Sequence, residues 1–192
     1  MDADQALKKL MDGNQRYITA RVVHPHQDTR RRRQVAKGQS PIAVVVGCSD
    51  SRVPPEIVFD QGLGDLFVIR TAGNVVDNVS MASIEYAVEH VHVPLVMVLG
   101  HRRCGAVDAA LHAGEVHGHI KSLVKAIAPS IDKIQGKSGD LLDMAVKANI
   151  KRVVAKIKSS KPILSHLVKK GRVKVVGAYY NLDSGGVDII SL

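Results

Sequence analysis

The stretch IAVVVGCSDSRVPPE, residues 42–56, decides how the rest of the chain is read. Ile42 to Gly47 is a short apolar run rich in β-branched residues with no polar position to turn toward water, which is the pattern of a strand buried on both faces of a sheet. Leu66 to Arg70, Leu95 to Gly100 and Val173 to Tyr179 repeat the pattern, each bounded by Gly, Pro or charge. Helical spacing fills the gaps over Met81 to Val91, Ala106 to Ala113 and Leu141 to Ile157. In the last of these, Leu142, Ala145, Val146, Ile150, Val153, Val154 and Ile157 form a stripe opposite Lys147, Lys151 and Lys158. Strands alternating with helices predict an α/β fold: a mainly parallel central sheet of four strands with right-handed crossovers, flanked by helices. Val187 to Ile190, after the turn signal NLDSGG, predicts a short antiparallel edge strand.

Ahead of this core, residues 3–18 set Leu7, Leu10, Met11, Tyr17 and Ile18 on one helical face. Such a helix must dock on an apolar surface, its own chain's or a neighbour's. Residues 24–40 are polar and strongly basic, the composition of a loop and a short solvated helix, and Pro41 closes the arm. With 192 residues, 45% of them hydrophobic, and no linker or internal repeat, one domain is expected over 1–192: a helical arm over 1–40 and a core over 41–192.

Composition narrows the class of function. No segment approaches eighteen uninterrupted apolar residues and the opening residues are charged, so no membrane partner is expected and a cytoplasmic location is. A targeting segment already removed would leave no trace. The net charge of +9 would suit a polyanionic partner, but Trp is absent, aromatic residues make up 3%, and the basic residues fall in two separate places. The basic tract TRRRRQVAK, residues 29–37, has no interleaved aromatics and no base-reading motif, so a solvated arm accounts for it and no nucleic acid is expected as partner. GLGD at 62–65 lacks a third glycine and precedes a strand, so it supports no dinucleotide site. His112, His117 and His119 sit in a Gly-punctuated stretch that reads as a surface turn rather than a second metal site.

The chain's two cysteines are too sparse for a disulfide scaffold and are read as thiols. Cys48 stands just past the first predicted strand, His101 just past the third, and Cys104 one helical turn further on. In open α/β sheets, ligands bind beyond the carboxyl ends of strands, so two loops at one sheet edge bring together Cys, His and Cys. That donor set suits tetrahedral zinc, and three protein ligands leave a fourth position for water, as in catalytic sites. An isolated HxxC is more often a pair of core residues; the strand-end cysteine and the adjacent DSR separate this case. Beside such a metal, Asp50 can orient the water while the Arg52 guanidinium fixes the carboxylate in two-pronged fashion.

CSDSR at 48–52 with HRRCG at 101–105 resembles the signature of the β-class carbonic anhydrases. The likeness extends through FVIRTAGN (67–74), SIEYAVEH (83–90) and VVGAYY (175–180), covering about residues 35–180. The resemblance implies one Zn2+ per subunit on Cys48, His101 and Cys104, a catalytic dyad of Asp50 and Arg52, and hydration of carbon dioxide to bicarbonate by a zinc-held hydroxide. It places Gln39, Phe67, Ala72 and Tyr86 at substrate-pocket positions, Gln39 reaching a neighbouring subunit's site, and makes the Gly105 amide a donor to substrate and His90 a proton shuttle. Some members of the family have a regulatory bicarbonate pocket with Trp three residues before the first cysteine ligand. Val45 stands there in this chain, so that pocket is expected to be absent and Asp50 to stay with Arg52. A homodimer, pairing further into tetramers, is implied as well. Two other readings share these residues: a carbon disulfide or carbonyl sulfide hydrolase on the same scaffold, and a basic nucleic-acid-binding protein with structural zinc.

Overall fold

The computed structural model describes all 192 residues. Five strands form one sheet in the order β2-β1-β3-β4-β5: β1 (Ala43–Cys48), β2 (Leu66–Thr71), β3 (Leu95–His101), β4 (Lys174–Tyr180) and β5 (Val187–Ser191). The first four pair in parallel and β5 runs antiparallel to β4. This is the predicted sheet, and the strands differ from expectation mainly at their ends. β1 and β3 each run one residue further, so Cys48 and His101 are the last residues of their strands. All residues of β1 and β3 are buried, as near-continuous apolar runs require.

Side chains alternate between two cores, one on each face of the sheet. Val44, Val46 and Cys48 join a cluster with Val96, Val98 and the apolar faces of α4 (Asn78–Glu89), α5 (Gly105–Leu111), α6 (Ile120–Ile131), α7 (Leu141–Ser159) and α8 (Ile163–Lys169). Ala43 and Val45 join Leu95, Met97 and Leu99 on the other face, under α1 (Ala3–Ile18) and α3 (Pro55–Val58). Between these lies α2 (Thr29–Val35), the short solvated helix of the basic arm, none of whose residues is buried. α7 lies close on β3 and β4 because glycines face it: a Cβ on Gly100 would meet Ile150 Cγ1 at 2.5 Å, and one on Gly177 would meet Ile150 Cγ2 at 2.8 Å.

The docking helix α1 finds its surface on its own chain. Its N-terminus is closed by a capping box between Asp2 and Gln5. Ala6 and Leu10 are fully buried in the second core, and Asn14 donates to the carbonyls of Val58 (3.1 Å) and Gly185 (2.9 Å) while accepting from the Val187 amide (2.9 Å). The basic arm that follows is held by two buried carboxylates. Asp60 accepts from Arg16 and from the amides of Val23 and His24, and Asp65 bonds His26 Nδ1 and Arg31. No helix is long and apolar enough to cross a membrane.

Candidate metal centre

Parallel pairing sets the strand ends side by side: Cys48 is in register with Thr71 of β2, and β3 lies on the other side of β1, ending at His101. A turn through Arg103, whose φ is +53°, carries the chain to Cys104, which caps α5. The ligand atoms of Cys48, His101 and Cys104 all lie within 4.8 Å of one another, and all three residues are buried. They are the only group of three or more His, Cys, Asp and Glu side chains close enough to share an ion. His112, His117 and His119 are exposed, and His112 Nδ1 pairs with Asp108 Oδ1 of its own helix at 3.1 Å.

Three observations bear on whether a metal fits. The two sulfurs are 4.0 Å apart and both thiols are free, far beyond a bonded S–S distance of about 2.05 Å but near the ~3.8 Å that two sulfurs span around a tetrahedral zinc. His101 Nδ1 donates to the Arg102 carbonyl at 2.9 Å, which fixes the tautomer and leaves Nε2 with its lone pair. That Nε2 is buried and has no hydrogen-bond partner, an orphan of the kind a metal satisfies. Without an ion, the paired sulfurs conflict: the hydrogen bond with Cys104 pulls the Cys48 thiol down, and the same bond with Cys48 pushes the Cys104 thiol up. A divalent cation between them removes the conflict, because both sulfurs then serve as thiolates.

Asp50 stands beside the donors, its Oδ2 3.8 Å from His101 Nε2. Arg52 clamps it with both prongs, Nε to Oδ1 at 2.9 Å and Nη2 to Oδ2 at 2.7 Å, and the Arg52 amide adds a third bond at 3.0 Å. The guanidinium hydrogen bond, above all other causes, holds the Asp50 carboxyl well below the usual carboxylate range. Asp50 is therefore an ionised acceptor throughout the neutral range, directed to Arg52.

The remaining expected residues divide. Phe67 on β2 and Tyr86 on α4 face each other with ring centroids 6.3 Å apart, and His90 stacks against Tyr86 at 5.4 Å, exposed at the helix end. Ala72 opens the turn after β2, and Gly105 begins α5, where a first-turn amide has no intrahelical acceptor. A Cβ at Gly105 would meet nothing within 4 Å of its own chain. Gln39 is exposed at the opposite end of β1 from Cys48, a strand of about 17 Å. It is not near the metal donors of its own chain.

Sequence reading missed the supports of the site. Arg70 donates through Nε to the Cys48 carbonyl (2.9 Å) and through Nη2 to the Asp50 carbonyl (2.6 Å), pinning the loop that carries both. Asp183, in the turn after β4, takes Arg102 at 2.7 Å and Arg103 at 2.5 Å, bracing the loop between His101 and Cys104. The Gly73 amide donates to Cys48 Sγ at 3.3 Å. An arginine closing the apolar run of β2 and a glycine in the turn beyond it are the signals that were available.

Fold and site together set a Cys-His-Cys group able to hold a metal at the carboxyl edge of a mainly parallel sheet. The family model described as carbonic anhydrase matches residues 43–187. "Carbonic anhydrase 2" of Mycobacterium tuberculosis is 43% identical over 186 residues, 94% of this chain and 89% of that protein. Among solved structures, a Coccomyxa β-carbonic anhydrase in complex with acetazolamide matches with a TM-score of 0.76 and 31% identity, covering 82% of this chain and 75% of its own. One of two tetrameric β-carbonic anhydrases from Sordaria macrospora matches with a TM-score of 0.76 and 25% identity, over 83% and 85% of the two chains. The chain belongs to the β-carbonic anhydrase family.

Proposed function

We propose that this chain is a zinc enzyme that reversibly hydrates carbon dioxide to bicarbonate and a proton. The observation that carries the reading is the buried His101 Nε2, unpartnered within 4.8 Å of two free thiols and 3.8 Å from an ionised Asp50. Cys48, His101 and Cys104 hold one zinc per subunit. When bound, zinc supplies Lewis acidity that makes water a nucleophile near neutral pH.

Asp50 accepts a hydrogen bond from the attacking water and turns its lone pair toward the substrate. Because Arg52 keeps the carboxylate ionised, Asp50 orients this water and does not store its proton. Ala72 follows Thr71 at the sheet edge that carries Cys48, and there the Gly105 amide donates to the oxygen on which charge develops. Phe67, in register with Val44, and Tyr86 beside it lie toward the other end of β1, so their apolar surface serves a neighbour's pocket, as Gln39 does. His90, exposed beside Tyr86, closes α4 near the start of β3, a full strand away from His101, so on its own chain it is too remote to relay the proton and would do so only for a neighbour's site.

The enzyme works as a homodimer or higher oligomer. β2 has no strand on its outer side, and α4 exposes Val79 and Tyr86, an unpaired edge next to apolar surface that a second copy would cover. Gln39, remote from its own site, then serves the neighbour's. The tetramers described for the Sordaria macrospora relatives are in keeping with this. Carbon disulfide and carbonyl sulfide are the competing linear substrates, and a comparison of turnover on all three decides between them. Hydration of carbon dioxide should dominate; faster hydrolysis of either sulfur compound would overturn the substrate assignment while leaving the metal assignment intact.

A further inference from the structure

Asn149 of α7 is the polar exception in an apolar stripe, 1% exposed between Val146, Ile150 and Val153. Burying an amide there costs stability unless its groups are paired, and an aliphatic residue would fill the space without that demand. Its pairing leads in one direction. Arg152 Nε donates to Ser130 Oγ at 3.1 Å, Ser130 Oγ donates to Asn149 Oδ1 at 3.2 Å, and Asn149 Nδ2 donates to the Gly73 carbonyl at 2.9 Å. From the same glycine, the amide donates to Cys48 Sγ at 3.3 Å.

The residue between these two bonds lies in a turn that its sequence permits but does not by itself fix. Gly73 has φ +64° and Asn74 φ +46°, two successive left-handed residues, and the Asn74 Nδ2 is buried with no partner. Glycine and asparagine both tolerate this region, glycine moving in and out of it freely, and the buried bond from Asn149, 76 residues away in sequence, holds the turn in place. We infer that Asn149, backed by Ser130 and Arg152, is a positioning residue that holds the Gly73 N–H on the Cys48 sulfur and so tunes how strongly that sulfur binds the metal. Hydrogen bonds to a metal-bound sulfur draw charge from it and orient it, and losing such an outer support costs roughly 10–100-fold in metal affinity.

This rests on the zinc reading above, and the test separates the two. Zinc affinity is measured by chelator competition on the full-length wild type, Asn149→Leu, Ser130→Ala and Val153→Ala, together with the sulfur-to-cobalt charge-transfer band of the cobalt(II)-substituted proteins. Wild type failing to bind zinc would end the metal reading itself. Given a zinc-binding wild type, Asn149→Leu should bind zinc roughly 10–100-fold more weakly, with the band at longer wavelength because a sulfur without its N–H donor gives up charge more readily. Ser130→Ala should shift both in the same direction by less, and it carries the test should Asn149→Leu fail to fold. Val153→Ala, a cavity in the same helix face, should lower thermal stability and leave affinity and band unchanged. Wild-type affinity and an unmoved band in the folded Asn149 or Ser130 variants, or an equal loss in Val153→Ala, would overturn the inference.

Discussion

Replacing Gly73 by alanine perturbs the centre without touching a ligand. At φ +64°, an L side chain costs about 1–2 kcal/mol. The new Cβ would also stand 2.9 Å from Ile127 Cδ1 on α6 and 3.1 Å from Ala106 Cβ on α5. Ala106 lies two residues beyond Cys104, so relief of that contact pushes one metal ligand while the displaced amide leaves the other. Overpacking of this kind adds about 1–3 kcal/mol, for a total of about 2–5 kcal/mol. In a protein of this size that lowers Tm by roughly 4–20 °C. Gly118→Ala is the matched control: its φ is +59° but a Cβ there meets nothing within 4 Å, so only the backbone cost of about 1–2 kcal/mol applies. Calorimetry of both variants, with zinc content measured after dialysis against a chelator, should show Gly73→Ala less stable than Gly118→Ala and alone in losing metal. Equal destabilisation, or full zinc retention by Gly73→Ala, would refute the reasoning.

Other consequences are as direct. Cys48→Ser and Cys104→Ser should purify without stoichiometric zinc, measured by elemental analysis, since each removes a charged ligand. Asp50→Asn should keep the metal and lose ~100-fold or more in hydration rate, because its amide offers the clamp of Arg52 no carboxylate; near-normal turnover in stopped-flow assays would end the orienting role. The hydration rate should rise with pH through a value above the ~7 of a three-histidine zinc site, since two thiolates donate more charge than two imidazoles, and a flat profile between about pH 6 and 9 would contradict this. Burial pushes the Asp60 carboxyl up, but Arg16 and the amides of Val23 and His24 more than offset it and hold it down. Its contribution is therefore full above the ordinary carboxylate value and is lost as pH falls below it. Proteolysis of residues 19–40 should accordingly accelerate on acidification below about pH 4, and less so in Asp60→Asn, which lacks the charge from the start.

The sheet and the meeting of Cys48, His101 and Cys104 were legible because both signals are local and scarce. A strand buried on both faces leaves no polar position, as Val44, Val45 and Val46 show, and a chain with two cysteines offers few donor sets. Three helices escaped, α3 among them, a single turn of four residues. α6 carries Pro129, which reads as a break, while α8 is seven residues long and starts beside Pro162, too short for a helical period to declare itself. What lay beyond reach was every support bridging distant sequence: Arg70 to the Cys48 carbonyl, Asp183 to Arg102, Asn149 to Gly73. Each partner looks like an ordinary polar residue until the fold sets it opposite a loop. Gln39 shows the converse. The resemblance placed it in a neighbouring subunit's pocket, and the direction of β1 gives a physical reason: Gln39 lies at the far end of that strand from Cys48.

The most direct measurement is a zinc titration of the metal-free chain, followed by stopped-flow hydration of carbon dioxide. Activity should climb linearly to one zinc per chain and then level off. A chain that takes up one zinc and hydrates nothing, or that is fully active without it, would contradict the account at its centre.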